Sequence, residues 1–391
     1  MSPSEPPRLR MDELQQRSLL IGGLALAVCA AGWFFSPQQF FRSYLVAYLF
    51  WIGIPLGCFA IVMLHHLVGG GWGFVIQRLL EAGIRTFPLM VLLFIPVLFG
   101  VRDLYVWARP DEVTTEAFLR QKDLYLNVPF FVTRTIIYFA VWISVGYFLN
   151  RWSLEQDRTA EGGLTQRLQS LSGPGLVLYG LTVTFASIDW IMSLEPRWYS
   201  TIYGMIFMVS FVLAAFAFVI AVAFFLSGLE PLSNAVSPDR FQDLGNLLLA
   251  FVMFWAYMAF SQFLLVWVEN LAQEIPWYLH RTTGSWEWVA LSLILFQFSL
   301  PFVLLLSRAT KRRAGILSIV AIGILFMHWV DLFWMVTPAF YPSRFHFHWM
   351  DIIAPIGVGG IWIGVFLGQL KERSLLPLHD PRFSQTQEQG A

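Results

Sequence analysis

Acidic and histidine side chains inside apolar stretches are the residues of this sequence that could do chemistry. Asp189 lies in the run FASIDWIMSLEPRWY, and His328 and Asp331 lie in the run HWVDLFWMVTPAFY. A charged side chain on a membrane helix costs roughly 2.5–3.5 kcal/mol by insertion scales, so it persists only where it is paired or used. Carboxylates and imidazoles accept, hold and release protons. The pattern therefore indicates proton handling, ion pairing or both.

Two groups of polar residues are expected at opposite ends of the spans. His328 and Asp331 are three residues apart and share a helix face. Oxidation of a quinol releases two protons, so a quinol site needs acceptors for the ring hydroxyls and titratable side chains that lead the protons to water. The candidates for such a proton path or for the surroundings of a quinone are Asp189, Glu195, Glu269, His328, Asp331, Arg134 and Arg281. The candidates for proton entry at the other end are His65, His66, Glu81 and Arg85. No residue is assigned a catalytic role, and no metal site is predicted.

Structural roles compete with each of these assignments. Arg134 could pair with Asp189, and Arg281 could pair with Asp331 or Glu274, to hold helix ends together. His328 could be a packing histidine with its hydrogen bonds satisfied. The adjacent His65 and His66 could be interfacial polar residues that end a span, and they point about 100° apart on a helix.

The composition defines the elements that must position these residues. Hydrophobic residues make up 57% of the sequence and charged residues only 13%, against about 25% charged in soluble domains. A helix of about 20 apolar residues crosses a hydrocarbon core of about 30 Å. The predicted spans cover residues 18–35, 43–67, 85–101, 130–150, 174–194, 201–227, 244–268, 286–306, 314–336 and 352–370. This pattern predicts an all-α polytopic membrane protein with about ten transmembrane helices.

Charge and cysteine content exclude some functions and indicate how the chain is oriented in the membrane. The formal net charge is zero, which argues against a nucleic-acid partner. Cys29 and Cys58 lie inside the first two predicted spans, and no haem-attachment or iron–sulfur spacing occurs. Lys and Arg are more frequent in the loops on the side of the termini, so both termini are predicted to be cytoplasmic. Asp189 then lies near the outer face of the membrane.

Two segments recur along the chain. Val128–Thr135 (VPFFVTRT) resembles Ile275–Thr282 (IPWYLHRT), and the pattern Asp-x6-Pro-x-[Trp/Phe]-Tyr occurs at both Asp189 and Asp331. Because each offset covers four spans, the repeats keep the same orientation. Chance similarity among interfacial aromatic segments is the alternative. Duplication predicts two tandem four-helix bundles plus two flanking helices. The predicted divisions are helix 1 (1–42), bundle one (43–200), bundle two (201–343) and helix 10 with the tail (344–391).

Three runs carry a resemblance to a known family. They are FASIDWIMSLEPRWYSTIYG, WVENLAQEIPWYLHRTTGSW and HWVDLFWMVTPAFYPSRF, and they occur in this order. Over nearly the whole chain, the sequence resembles the NrfD-like superfamily of polysulfide reductase membrane subunits. Within it, the sequence is most similar to the ActF family, the smaller NrfD-like subunits of alternative complex III.

The resemblance implies a membrane subunit of a respiratory or photosynthetic quinol:cytochrome c or quinol:cupredoxin oxidoreductase. Implied partners are membrane lipids, the quinone pool, a larger NrfD-like subunit, an iron–sulfur subunit and c-type cytochrome subunits. Haem c and iron–sulfur clusters are expected in those partners, with no covalently bound or metal cofactor in this chain. Quinol, either menaquinol or ubiquinol, is expected at or near it, with a contribution to proton translocation.

Two other functions remain as alternatives. A scaffold subunit would carry paired buried charges and no quinone or proton role. An independent transporter would show interrupted midplane helices in corresponding halves. The charges cluster at one face and the midplanes of the spans are apolar, which counts against transport.

Overall fold

A computed structural model describes residues 7–159, 162–228, 237–342 and 344–377, and these ranges are mostly helical and contain no β-strand. Short 3-10 segments cover Val106–Ala108, Met192–Leu194 and Thr337–Ala339, and a π-helical segment covers Leu293–Ser299. The α-helices are α1 (Pro7–Trp33), α2 (Pro37–Val68), α3 (Gly71–Ile84), α4 (Phe87–Phe99), α5 (Val101–Leu104), α6 (Pro110–Thr115), α7 (Ala117–Lys122), α8 (Val128–Thr159), α9 (Gly162–Trp190), α10 (Tyr203–Leu226), α11 (Pro238–Glu269), α12 (Ile275–Thr282), α13 (Trp286–Ser292), α14 (Leu300–Leu306), α15 (Arg308–Arg312), α16 (Ala314–Val336) and α17 (Met350–Lys371).

Length and apolar composition make these helices membrane spans. Within the described ranges, nine helices or helix combinations are long and apolar enough to cross a membrane, and α3 with α4 adds a tenth span bent by 43°. In hydrocarbon every backbone polar group must be satisfied within the segment, which a helix achieves. The predicted fold class, an all-α polytopic membrane protein of about ten helices, is confirmed.

The predicted bounds of the third span were wrong on one side. Residues 71–84 form α3, whereas the sequence pattern indicated a loop before residue 85. The polar residues of this segment, Gln77, Arg78 and Glu81, are buried and bond to one another or to α8. Similarly, the connection between the predicted spans 130–150 and 174–194 is mostly helical, because α8 continues to Thr159 and α9 begins at Gly162. Polar helix faces that pair inward resemble loops in sequence.

Antiparallel neighbours give the molecule two distinct ends. At one end Arg134, near the start of α8, bonds Asp189, near the end of α9. At the other end Arg373, just after α17, bonds Glu81 in α3. We call these the Asp189 end and the Glu81 end. Their assignment to the outer and cytoplasmic sides stays a prediction, as does the cytoplasmic location of the termini.

The two most buried spans form the centre of the helix packing. The apolar windows of α2 and α10 are 89% and 83% buried, against 11% for α1. Around α2 pack α3, α4 and α9, and α8 packs on α9; around α10 pack α11 and α16. Helices α2 and α10 also contact each other, and α17 packs on α2 while α1 packs on α17. The predicted division of the chain at residues 42, 200 and 343 stays a prediction.

Glycines allow two of these helix contacts to be unusually close. A Cβ atom at Gly360 in α17 would lie 2.5 Å from the Cα of Gly22 in α1. A Cβ atom at Gly57 in α2 would lie 2.1 Å from the carbonyl oxygen of Phe211 in α10. Small residues at helix interfaces in membranes let backbones approach and gain packing contacts. The helix pairs α1–α17 and α2–α10 therefore depend on glycine.

Candidate functional site

Asp189 is part of a complete buried ion pair. Nε and Nη2 of Arg134 each donate to the Asp189 carboxylate at 2.8 Å, one to each oxygen. The hydroxyl of Tyr138 donates to the same carboxylate at 2.6 Å, and Nη1 of Arg134 donates to the carbonyl of Tyr125 at 2.9 Å. The Asp189 side chain is 0% exposed. The predicted structural pairing of Arg134 with Asp189 is confirmed, and forked geometry of this kind is the strong form of the interaction.

The second arginine of the repeat pairs differently. Nη2 of Arg281 donates to Glu195 at 2.5 Å and to the carbonyl oxygen of Met335 at 2.7 Å. The predicted pairing of Arg281 with Asp331 or Glu274 is therefore wrong. Glu195 follows α9 and Arg281 lies in α12, so this ion pair joins the two predicted bundles.

A break in the helix explains the change of partner. Arg134 is the seventh residue of α8, which continues without interruption to Thr159. Arg281 is the seventh residue of α12, which ends at Thr282, and the span resumes only at Trp286. Gly284 and Ser285 between them have φ values of 62° and 79°, the left-handed region that turns the chain. Arg281, at the position of the second repeat that is equivalent to Arg134, therefore bonds Glu195 rather than the repeated aspartate.

Glu195 also holds a histidine. Its Oε1 lies 3.2 Å from Nδ1 of His280. Burial by itself raises the pKa of a carboxyl group, but the guanidinium of Arg281 and the contact with His280 lower the pKa of Glu195 below its ordinary value. Glu195 is thus a carboxylate at neutral pH that fixes the imidazole beside it.

Asp331 pairs with no cation among the residues that the structure describes. Its Oδ2 accepts from Nε1 of Trp255 at 3.2 Å and, at 3.5 Å, from the hydroxyl of Ser210. That hydroxyl also lies 3.0 Å from Nδ1 of His328, whose Nε2 has no hydrogen-bond partner among the described residues. Asp331 and His328 are 3% and 0% exposed. Within the described part of the chain, Asp331 forms no ion pair.

The two repeated aspartates also lie at different distances from the ends of their helices. Helix α9 ends one residue after Asp189, whereas α16 continues for five residues after Asp331. Four more residues at 1.5 Å rise place Asp331 about 6 Å further from its helix end. The repeated spacing therefore produces one acid near a helix end beside an arginine and one deeper acid without a countercharge.

An open groove lies beside His280 at the Asp189 end. It has a volume of about 840 Å³ and lies between the segment around α6 and α7, the residues after α9, and α12. The His280 side chain is 41% exposed and lines it, whereas Arg281 is 1% exposed behind it. The rings of Trp198 and Trp277, stacked 4.5 Å apart, form part of its wall. A smaller cavity of about 380 Å³ shares four of its lining residues.

Glu269 and its neighbours contribute less to this end. Glu269 is exposed at the end of α11 and takes part in none of the hydrogen bonds or ion pairs among the described residues. Gln262, two turns earlier, is buried and accepts from the Ser200 hydroxyl. Burial and the nearby Glu269 raise the pKa of Glu274. Glu269 therefore lies near Glu274 but forms no bond with Asp189, Glu195 or Asp331 among the described residues.

Both charged candidates at the Glu81 end are in ion pairs. Glu81 accepts from Arg78 at 2.5 Å, Arg373 at 3.2 Å and the Ser153 hydroxyl at 2.6 Å. Arg85 bonds Glu372, just after α17. These bonds fasten α3 to α8 and to the segment that follows α17.

His65 and His66 lie inside the helix packing. They are 0% and 1% exposed and lie in the last turn of α2, so they are buried between helices near the end of this span. The His65 ring packs edge-on against Phe74 at 5.0 Å, and Nδ1 of His66 lies 3.2 Å from the Ser172 hydroxyl. Helix α3, which the sequence pattern did not predict, covers His65.

Sequence reasoning missed one further polar cluster at the Asp189 end. The Asp351 carboxylate accepts from the Ser43 hydroxyl at 2.5 Å, from Gln39 at 3.3 Å and from the backbone N–H of His348 at 2.7 Å. Its position at the second residue of α17 is the signal that could have found it, because acids favour the first turn of a helix. Three hydrogen bonds give this acid a structural explanation.

The fold defines the chain as a polytopic α-helical membrane protein. The comparisons with known proteins add no relative, because no protein-family model and no curated protein matches the chain. Among the described residues, no group of three or more His, Cys, Asp or Glu side chains could hold a metal ion. Function must therefore be inferred from the acids, the histidines and the groove.

Proposed function

We propose that this chain is an NrfD-like membrane subunit of a quinol:electron-acceptor oxidoreductase of the alternative complex III type, in which Asp331 handles protons. The observation that carries this proposal is that Asp331 has only neutral hydrogen-bond donors around it among the described residues. It is a buried carboxyl group inside a membrane span, and no described cation pairs with it. A functional role is the default hypothesis for such a residue.

The comparison with Asp189 supports a proton role for Asp331. An ionised carboxylate in an apolar interior is expensive unless a cation and hydrogen bonds compensate it. Asp189 has both, whereas Asp331 has two neutral donors. A neutral acid is the form that these surroundings tolerate, and such an acid can release and regain its proton. Ser210 links it to His328, the second titratable group in the cluster.

Quinol oxidation supplies a use for such a group. Each quinol that becomes quinone releases two electrons and two protons. In the proposed complex the electrons pass to iron–sulfur clusters and haem c in partner subunits, and titratable side chains carry the protons to water. The three sequence runs that resemble NrfD-like proteins include Asp331, His328, Asp189 and Arg281. We infer a bacterial cytoplasmic membrane, with the Asp189 end outside and both termini cytoplasmic.

A scaffold function is the second candidate. Three buried or partly buried ion pairs, Arg134–Asp189, Arg281–Glu195 and Arg78–Asp157, hold helices together and need no chemistry. Transport is disfavoured by the position of the irregular spans. The bend between α3 and α4 falls in the third span, whose predicted repeat counterpart, α11, is a continuous helix.

The test is Asp331→Asn in the purified native complex, with Asp351→Asn as the matched buried-acid control. Asparagine keeps the shape and an acceptor for Trp255 but cannot carry the proton. We expect assembly at wild-type yield and quinol turnover lower by roughly 100-fold, the low end of general acid–base effects. The control should retain turnover. Unchanged turnover with Asp331→Asn would favour the scaffold function. A native chain that purifies without iron–sulfur or haem proteins would overturn the proposal that it is a subunit of such a complex.

A further inference from the structure

The groove beside His280 has the size and wall composition of a small-molecule site. Its volume of about 840 Å³ lies within the range of about 300–1,000 Å³ found for ligand pockets. Phe118, Trp198, Tyr199 and Trp277 contribute aromatic surface to its lining. Flat ligands pack well against such walls. The groove thus favours a ring-shaped ligand.

One imidazole nitrogen is available to that ligand. Nδ1 of His280 is taken by Glu195, which Arg281 holds in place. A carboxylate at Nδ1 favours the tautomer with a proton there, leaving Nε2 as an acceptor. Since 41% of the His280 side chain is exposed and it lines the groove, a ligand hydroxyl can reach it. The dyad therefore suits a ligand that donates a hydrogen bond.

The charges in the groove favour a neutral ligand. Lys122 donates to the carbonyl oxygen of Pro196 at 2.6 Å, and Arg197 donates to Glu116 at 3.0 Å. Both cations that line the groove, Lys122 and Arg197, are thus already engaged. An anionic ligand would also face the carboxylates of Glu112, Glu116 and Glu195. A neutral ring with hydroxyl groups meets none of this repulsion.

The smaller cavity gives the ligand an apolar extension. It shares Lys122, Pro196, Trp198 and Tyr199 with the groove. It continues along apolar side chains to Ile188, which precedes Asp189 on the membrane-spanning helix α9. A water-soluble ligand needs no such extension, whereas a quinol has an apolar tail.

We propose that the groove beside His280 binds the ring of a quinol, with a ring hydroxyl donating to Nε2 of His280 and the tail entering the smaller cavity. This inference rests on the proposed function and adds the site and its ligand. Glu195 and Arg281 act as positioning residues, because they orient the imidazole without reaching the ring.

The test uses the native complex in phospholipid nanodiscs. The probe is a photoreactive azido-1,4-naphthoquinone with a decyl chain, reduced to its quinol before illumination, and cross-linked peptides are mapped by mass spectrometry. We expect cross-links within residues 106–122 or 272–282. His280→Gln should lower their yield about tenfold and raise KM for quinol, whereas His346→Gln, at the same end but outside the groove, should change neither.

A second variant separates loss of the groove from loss of folding. Ala272 lies exposed at the rim, so Ala272→Trp fills the groove without disturbing buried contacts, and it should abolish cross-linking at an unchanged melting temperature. Cross-links confined to other residues would overturn the proposal, as would equal competition by a tail-matched phospholipid. Wild-type quinol turnover and KM in His280→Gln would overturn the assignment of the quinol site to the groove while leaving the proposed function intact. A native complex with no quinol oxidation would instead overturn the proposed function.

Discussion

Arg281 bonds the carboxylate of Glu195, a residue from the other predicted half of the chain. The same guanidinium bonds the carbonyl oxygen of Met335, one helical turn beyond Asp331. Arg281 therefore ties α12 to both the end of α16 and the segment after α9. It also leaves Asp331 without the countercharge that Arg134 gives to Asp189.

Asp189→Asn should destabilise the fold strongly. The substitution leaves Arg134 buried without a counterion, and breaking a buried pair in this way costs about 3–5 kcal/mol. We expect that loss in the free energy of unfolding, measured by denaturant titration in detergent micelles. Asp331→Asn, which leaves no cation uncompensated, should change it by less than about 1 kcal/mol, so equal losses in the two variants would contradict the assignment of the charges.

Glu116→Gln is the matched control for a surface ion pair. Glu116 pairs with Arg197 at 3.0 Å, but their side chains are 40% and 72% exposed. Exposed pairs contribute about 0–1 kcal/mol because water screens them. The control should thus unfold like the wild type. A loss of unfolding free energy as large as that of Asp189→Asn would show that burial does not determine how much an ion pair stabilises this protein.

The Glu195–Arg281 pair should make stability fall with acid. The pKa of Glu195 is lowered in the fold, relative to about 4.3 when unfolded. A lowered folded pKa contributes stability above the unfolded value, and that contribution is lost as the pH falls through the folded value. Glu195→Gln should lower the melting temperature at pH 7, and its difference from the wild type should shrink below about pH 4.3. A constant difference from pH 7 to pH 3 would contradict this origin.

Gly360→Ala should separate α1 from α17. The added Cβ would lie 2.5–2.6 Å from backbone atoms of Gly22 and 2.7 Å from the carbonyl oxygen of Ser18, and backbone atoms cannot move aside as a side chain can. Overpacking of this kind costs typically 1–3 kcal/mol. We expect a lower melting temperature and faster proteolysis near residues 34–36, between α1 and α2. Gly23→Ala, where nothing lies within 4 Å, should leave both measurements unchanged.

The periodicity of apolar residues predicted the spans because a membrane imposes a length on every helix that crosses it. It could not distinguish an inward polar face from a loop, so it missed α3 and with it the burial of His65. The Arg134–Asp189 pair followed from neighbouring spans, whereas the Arg281–Glu195 pair depends on a turn at Gly284 and Ser285 that redirects one guanidinium. Contacts between distant parts of the chain are set by such turns, and their sequence signal is weak.

The contact of α1 with α17 can form only late in the synthesis of the chain. Most of the surface of α1 faces away from the rest of the chain, and α17 is the helix that it packs against most extensively. Between the end of α1 at Trp33 and the start of α17 at Met350, the ribosome must add more than 300 residues. At about 5–20 residues per second this takes on the order of tens of seconds. During that interval the first helix must persist in the lipid as an independent, inserted segment, so its own hydrophobic length, rather than its final partner, determines whether it stays.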